Sequence, residues 1–447
     1  TWGNSIIALR WNNILSPKLF ANYTATYSKY KFSTGFKFKS DDPNSSEFDE
    51  SEFVYFSGIN DYGVKADFDF FPKPDHYIRF GGGYTYHVFS PGVNETSISD
   101  QVSNVSLRYG SDDVYANELF TYIEDDWRVS DKFKMNVGLH HAAFFVQGRT
   151  YQGLQPRFSG RYLINSKLSV KASYAKMYQF LHLLTNVGIG LPTDLWLPAT
   201  DAVKPQTSDQ VALGLSHDIG SDYALSGEVY YKWMKNLIEY KDGATFQGSG
   251  SNWESLVESG DGTAYGLELL FEKKRGALTG WIGYTLSWSW RDFENLNFGE
   301  PFYYRYDRRH DIGAAATYTI SDRLDIGVVW VYGTGNAISL PTTRFNNYTN
   351  LPSIDPTGNS GSSFFNADYF ENRNDYRMPA YHRLDFVFNI HKDTKYGERT
   401  WSLGLYNAYN RQNPFFLYFS SDDFGKRGLY QISLFPVLPA ITYSFKF

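Results

Sequence analysis

The sequence predicts an all-β chain that spans a membrane as an antiparallel β-barrel. Three observations predict it. The inventory is that of strands, with 36 Tyr, 36 Phe, 11 Trp and 38 Gly against only 4 Met, and aromatic residues favour a pleated, half-buried surface. Bulky apolar residues alternate with small or polar ones in segments of roughly ten to sixteen residues, longer than the usual globular strand. Short and long connections take turns along the chain, as in a meander with tight turns at one end and long loops at the other.

Composition excludes several alternatives. At 447 residues the chain is longer than the size at which one soluble core stops growing, about 250–300 residues, yet no Pro-, Ser- or charge-rich stretch reads as a linker. Mean hydropathy is −0.42, and no run of about 18 apolar residues occurs, which excludes a membrane-crossing helix. A β-wall escapes that test, because only every second residue needs to be apolar. The chain has no Cys, which removes disulfide frameworks and thiolate metal sites. A net charge of −6 supplies no basic field for nucleic acid. The opening "TWGNSIIALRW" reads as strand, with no signal peptide before it.

The rows themselves are explicit. In "DYGVKADFDFF", Tyr62, Val64, Ala66, Phe68 and Phe70 alternate with Gly63, Lys65, Asp67 and Asp69. "KLSVKASYAKMY" carries Leu168, Val170, Ala172 and Tyr174. "LTGWIGYTLSWSW" sets Ile282, Tyr284, Leu286, Trp288 and Trp290 against Trp281, Gly283, Thr285, Ser287 and Ser289. "RLDIGVVWVYG" repeats the pattern with Leu324, Ile326, Val328, Trp330 and Tyr332. The chain closes on Ile441, Tyr443, Phe445 and Phe447 facing one way, with Ala440, Thr442, Ser444 and Lys446 facing the other. Side chains two apart share a face, so each segment offers one greasy and one wet side.

Short turns are expected near 12–17, 72–75, 130–132, 165–166, 220–222, 273–276, 321–323 and 392–399. Long connections are expected near 35–51, 90–112, 178–206, 234–261, 291–305, 335–379 and 411–427, with one short exception near 148–152. A propeller would show a blade repeat of about 40–50 residues, and none is visible. A sandwich array would need charged outer rows, whereas these are often Gly, Ser, Thr and Ala. The count is about 17 strands, an odd number where a closed bacterial barrel needs an even one. Residues 1–447 are therefore expected to be the C-terminal portion of a barrel of about 22 strands, a size whose lumen holds a plug. Five strands and the plug would lie outside the sequence.

Several stretches resemble TonB-dependent outer-membrane receptors, particularly those of Bacteroidetes. "YNAYNRQNPFFLYFS" (Tyr406 to Ser420) resembles the family's penultimate strand, and "LFPVLPAITYSFKF" its closing strand with a terminal Phe. "TAYGLELLFEKKRGALTGWIGYTLSWS" (Thr263 to Ser289) is similar to a central hairpin, "LPTDLWLPATDAVKPQTSDQ" (Leu191 to Gln210) to a loop re-entering a strand, and "YDRRHD" (Tyr306 to Asp311) to a strand start. The resemblance implies a 22-stranded barrel around an N-terminal plug that engages TonB, embedded in outer-membrane lipid and importing a scarce nutrient. It further implies that Phe447 is the signal read by the barrel assembly machinery, although an aromatic girdle would also place a Phe there. A surface lipoprotein is a further candidate partner. The rival readings are a passive pore or structural subunit, and a barrel enzyme.

No catalytic constellation accompanies these features. His310 and Asp311 adjoin, as do His140 and His141, but successive strand residues point to opposite faces. Asp422 and Asp423 are too few for a calcium cage. Asn22, Asn94, Asn104 and Asn347 match the Asn-x-Ser/Thr glycosylation pattern by chance. No cofactor is expected. The candidate solute-binding residues are Trp196, Trp253, Tyr303, Tyr304 and Arg305 in the long loops, beside Phe302: large aromatic surfaces next to polar groups stack on solutes at low entropic cost. The alternative at each position is the interfacial aromatic belt.

Overall fold

The structure is a computed structural model that describes residues 2–39, 50–99, 104–186, 194–244, 253–349, 363–422 and 426–447. Its main sheet has 19 strands. Two of them, Asn104–Gly110 and Phe302–Tyr303, are short lengths of ladder added at one end. The remaining 17 form the wall. They are β1 (Trp2–Ser16), β2 (Leu19–Lys39), β3 (Glu50–Lys73), β4 (His76–Ser99), β5 (Val114–Arg128), β6 (Phe133–Val146), β7 (Arg149–Leu163), β8 (Leu168–Gln179) and β9 (Gln206–Ile219). There follow β10 (Tyr223–Tyr240), β11 (Val257–Lys273), β12 (Leu278–Asp292), β13 (His310–Ser321), β14 (Leu324–Gly333), β15 (Tyr381–Thr394), β16 (Gly397–Tyr406) and β17 (Leu438–Lys446). Each pairs antiparallel with the next, and among the described residues no ladder joins β1 to β17.

Register explains why the rows matter. Leu213 of β9 stands opposite Val229, then Leu267, then Leu286, across four strands. One rung along on the other face, Lys171, Gly214, Glu228, Glu268, Thr285 and Asp311 line up across six. An apolar rung and a charged rung therefore alternate up the wall. Leu213, Leu215 and Val229 remain exposed among the described residues, a cost of about 25 cal/mol per Å² in water that lipid removes. The charged face is the inner one, since inward-folded loops pack on it.

The expected turns appear at one end, and the expected loops at the other. The short exception is the pair Gln147 and Gly148, both at positive φ (49° and 75°), which suits a two-residue hairpin turn. At Gly397 the turn before β16 needs glycine: φ is +143°, and a Cβ would meet the Lys446 carbonyl oxygen at 2.1 Å. The strand lengths differ from expectation, with β2 at 21 residues and β3 and β4 at 24. The apolar row marks only the stretch in lipid, whereas backbone pairing needs no apolar side chains, so these strands continue upward beyond it.

Between β8 and β9, Leu181–Leu184 and Leu195–Pro198 form a small hairpin of their own. This strap turns inward over the loop end of the barrel, its first strand against β10 and its second against β3 and β4. Among the described residues, the connection between β14 and β15 carries two further small two-stranded sheets, and that between β16 and β17 carries one.

Candidate functional site

The strap bridges two stretches of wall. On one side Phe180 and Ala199, with Leu181 and Trp196 at the margin, pack on Ile59, Phe89, Val114, Ala142 and Phe144. On the other, Leu184, Leu195, Leu197 and Val203 meet Tyr55, Ile238, Tyr240, Trp253 and Val257. A backbone bond from the Ala199 amide to the Phe180 carbonyl (2.7 Å) and a side-chain bond from the Tyr151 hydroxyl to the Thr200 carbonyl (2.7 Å) fix its base. His182, fully buried in the strap, is held neutral: burial pulls its imidazole down to about 4.

The crest of β10 is buried on both faces. A register shift between Met234 and Leu237, with Asn236 at φ 57°, re-aims the strand; a bulge does this at barrel rims. Ile238 and Tyr240 then join the strap's cluster, while Leu237 packs with Phe293, Leu296 and Phe302. Glu239 shares Leu237's side and is 1% exposed. It lies 3.3 Å from Arg373 Nη2 and 3.7 Å from Arg291 Nε. Arg373 donates also to the Tyr240 carbonyl (2.9 Å) and to Asp242 (2.9 Å), and the Arg291 guanidinium lies 3.8 Å over the Tyr304 ring. A buried carboxylate is tolerable only with such partners.

Beside this network stand Asp194, at the strap's return, and Arg305. Tyr306 donates its hydroxyl to Asp194 Oδ2. Burial pushes the Asp194 carboxyl above its usual range, opposed by the Tyr306 hydrogen bond and by the charge of Arg305. Burial likewise raises the Tyr306 phenol, with Asp194 adding to the effect. Arg305 is 4% exposed, and its Nε and Nη1 have no hydrogen-bond partner among the described residues.

The candidate residues therefore divide. Trp196 and Trp253 are packed within the two apolar clusters, and Tyr304 and Arg305 belong to the polar centre. Tyr303 lies on the other face of its strand, stacked on Trp290 at 4.2 Å. It continues the row Tyr231, Tyr265 and Trp288, whose rings stack at 5.7 and 5.3 Å, as an interfacial belt does. Arg309 covers Trp288 and Arg377 covers Tyr303, both tied to buried Asp307. His310 and Asp311 separate as expected, the first to Tyr284 (3.0 Å) and the second to Arg308 (3.2 Å). Asp422 accepts the Lys426 amide in a turn, and Asp423 lies outside the described residues. Among the described residues no group of three or more His, Asp or Glu converges as a metal site. Sequence reading missed Glu239, Arg291 and Arg373; the signal was an acid inside the otherwise apolar run Leu237–Tyr240.

The family model described as TonB dependent receptor-like, beta-barrel matches residues 2–430. The chain belongs to this family. As a TonB-dependent receptor barrel it is an outer-membrane protein of Gram-negative bacteria, with its short turns on the periplasmic side and its long loops outside. No curated protein matches it in sequence. Among solved structures it is similar to the ferric-catecholate import receptor Fiu of E. coli K12, with TM-score 0.60 and 13% identity over 98% of this chain and 63% of that one. The ferric yersiniabactin uptake receptor FyuA of Yersinia pestis gives 0.62 and 14%, over 99% and 61%. The pyoverdine receptor FpvA of Pseudomonas aeruginosa, bound to pyoverdine, gives 0.60 and 11%, over 100% and 62%. At these identities the likeness shows the fold alone. The TonB-dependent receptor barrel described here spans about six tenths of the length of these structures.

Proposed function

We propose that this barrel belongs to an importer that captures a scarce solute at its outer mouth and passes it through the lumen, driven by TonB acting on a plug. In this reading residues 1–447 are the C-terminal portion of a 22-stranded barrel, and the plug and first strands are encoded outside them. The observation that carries it is the strap, a hairpin folded across the mouth of a wall of the receptor family. The strap, held by two apolar clusters, narrows the mouth, which suits a gated entry better than an open water-filled channel. The solute-facing residues are Tyr304 and Arg305, with Trp196 and Trp253 setting the shape around them; the protein contributes binding and gating, with no covalent chemistry. A strain lacking the gene should grow more slowly on one limiting nutrient, metal limitation included, and recover with the gene restored. Growth equal to wild type under every limitation defeats the transport reading.

The exposed terminal Phe447 is assigned to recognition by the assembly machinery. Its removal should lower the yield of folded, heat-modifiable barrel several-fold without changing synthesis. An unchanged yield would place Phe447 in the girdle alone.

A further inference from the structure

Charge at the mouth does not balance. Three guanidiniums, those of Arg291, Arg305 and Arg373, are buried there, against buried Glu239 and half-buried Asp194, while the third acid, buried Asp307, is already taken by Arg309 and Arg377. Glu239 is shared by Arg291 and Arg373. The side chain of Asp242, which also meets Arg373, is 67% exposed and largely answered by water. Asp194 is near enough to act on Arg305 through its charge, and one of its oxygens is taken by Tyr306.

The hydrogen-bond ledger agrees with the charge. Arg305 Nε and Nη1 and the Tyr240 hydroxyl, donors all, lack partners among the described residues, and Tyr240 is only 2% exposed. Leaving buried donors unsatisfied is costly, and a guanidinium offers donors only. A group that presents several acceptor oxygens with negative charge answers both shortages at once, and such charge-assisted bonds are the strong ones. Water would answer the hydrogen bonds and leave the charge.

We propose that Arg305, a buried guanidinium with unpartnered donors, is the anchor for an oxyanion carried by the solute, a carboxylate or a phosphate, bound against the competing charge of nearby Asp194. The inference rests on the mouth being the entry for solute.

Calorimetric titration of the full-length receptor in detergent, at constant ionic strength, tests this with inorganic phosphate and citrate as probes. The parent and Arg308→Gln, which alters an exposed arginine paired with Asp311, should bind alike. Arg305→Gln should bind about tenfold more weakly, and Asp194→Asn, which removes the competing charge, about tenfold more tightly. A gain of affinity cannot come from misfolding. Equal affinity in Arg305→Gln, unchanged or weaker affinity in Asp194→Asn, or binding of neither probe by parent and Asp194→Asn overturns the assignment. Import that persists without these effects removes the anchor alone, whereas the growth experiment decides transport.

Discussion

Arginine in place of Leu215 destabilises the folded barrel by about 2–4 kcal/mol, the cost of a cation near the midplane of a barrel's lipid face. Arginine in place of Ser216, one residue on, changes stability little. Leu215 lies in the apolar row of β9, roughly midway between the periplasmic turn at Gly220 and the belt residue Tyr231, which pairs with Val211. Its neighbours across the two ladders are Gly227 and Val170, which offer no counter-charge. Ser216 faces the lumen, where water and the Glu228 carboxylate one rung away screen a new cation. Urea unfolding of barrels reconstituted in lipid vesicles measures both variants. Equal losses in the two would mean that the wall does not separate a lipid face from a wet one.

Glu239→Gln is the second large effect. The carboxylate neutralises two buried guanidiniums, and deleting one partner of such a set costs about 3–5 kcal/mol because the others are left buried and unpaired. The loss falls on the mouth and leaves the wall intact. Hydrogen exchange should accelerate at 237–240 and along 293–305, while β12 and β13 below stay protected. Adding Arg373→Met should restore part of the protection, since residues in one ion network couple non-additively. Unchanged exchange at the crest in the single variant would show that Arg291 and Arg373 do not depend on this carboxylate.

The wall was legible in the sequence and the mouth was not, for a physical reason. Alternation such as Ile282, Tyr284, Leu286, Trp288 and Trp290 reports a lipid face directly, because every second side chain meets the same solvent. Turn positions followed from where the alternation breaks, and a count of about 17 strands matches the wall. The upper parts of β2 to β4 escaped, since ladder bonds outside lipid leave no apolar signature. The mouth depends on contacts between segments far apart in sequence, such as Asp194 with Tyr306 or Glu239 with Arg373. No local period encodes those. Tyr303 and Tyr304 adjoin, yet one joins the belt and the other the polar centre, a distinction that depends on the face of one short strand.

The strap leaves β8 and returns to β9, two strands bonded to each other along their length. Its ends therefore sit side by side, and the ladder beneath is complete without it. A cassette mounted in this way can be excised, shortened or exchanged while the scaffold keeps its register; under the import function proposed above, a change of solute preference needs only a new insert, with no redesign of the part that must survive in lipid.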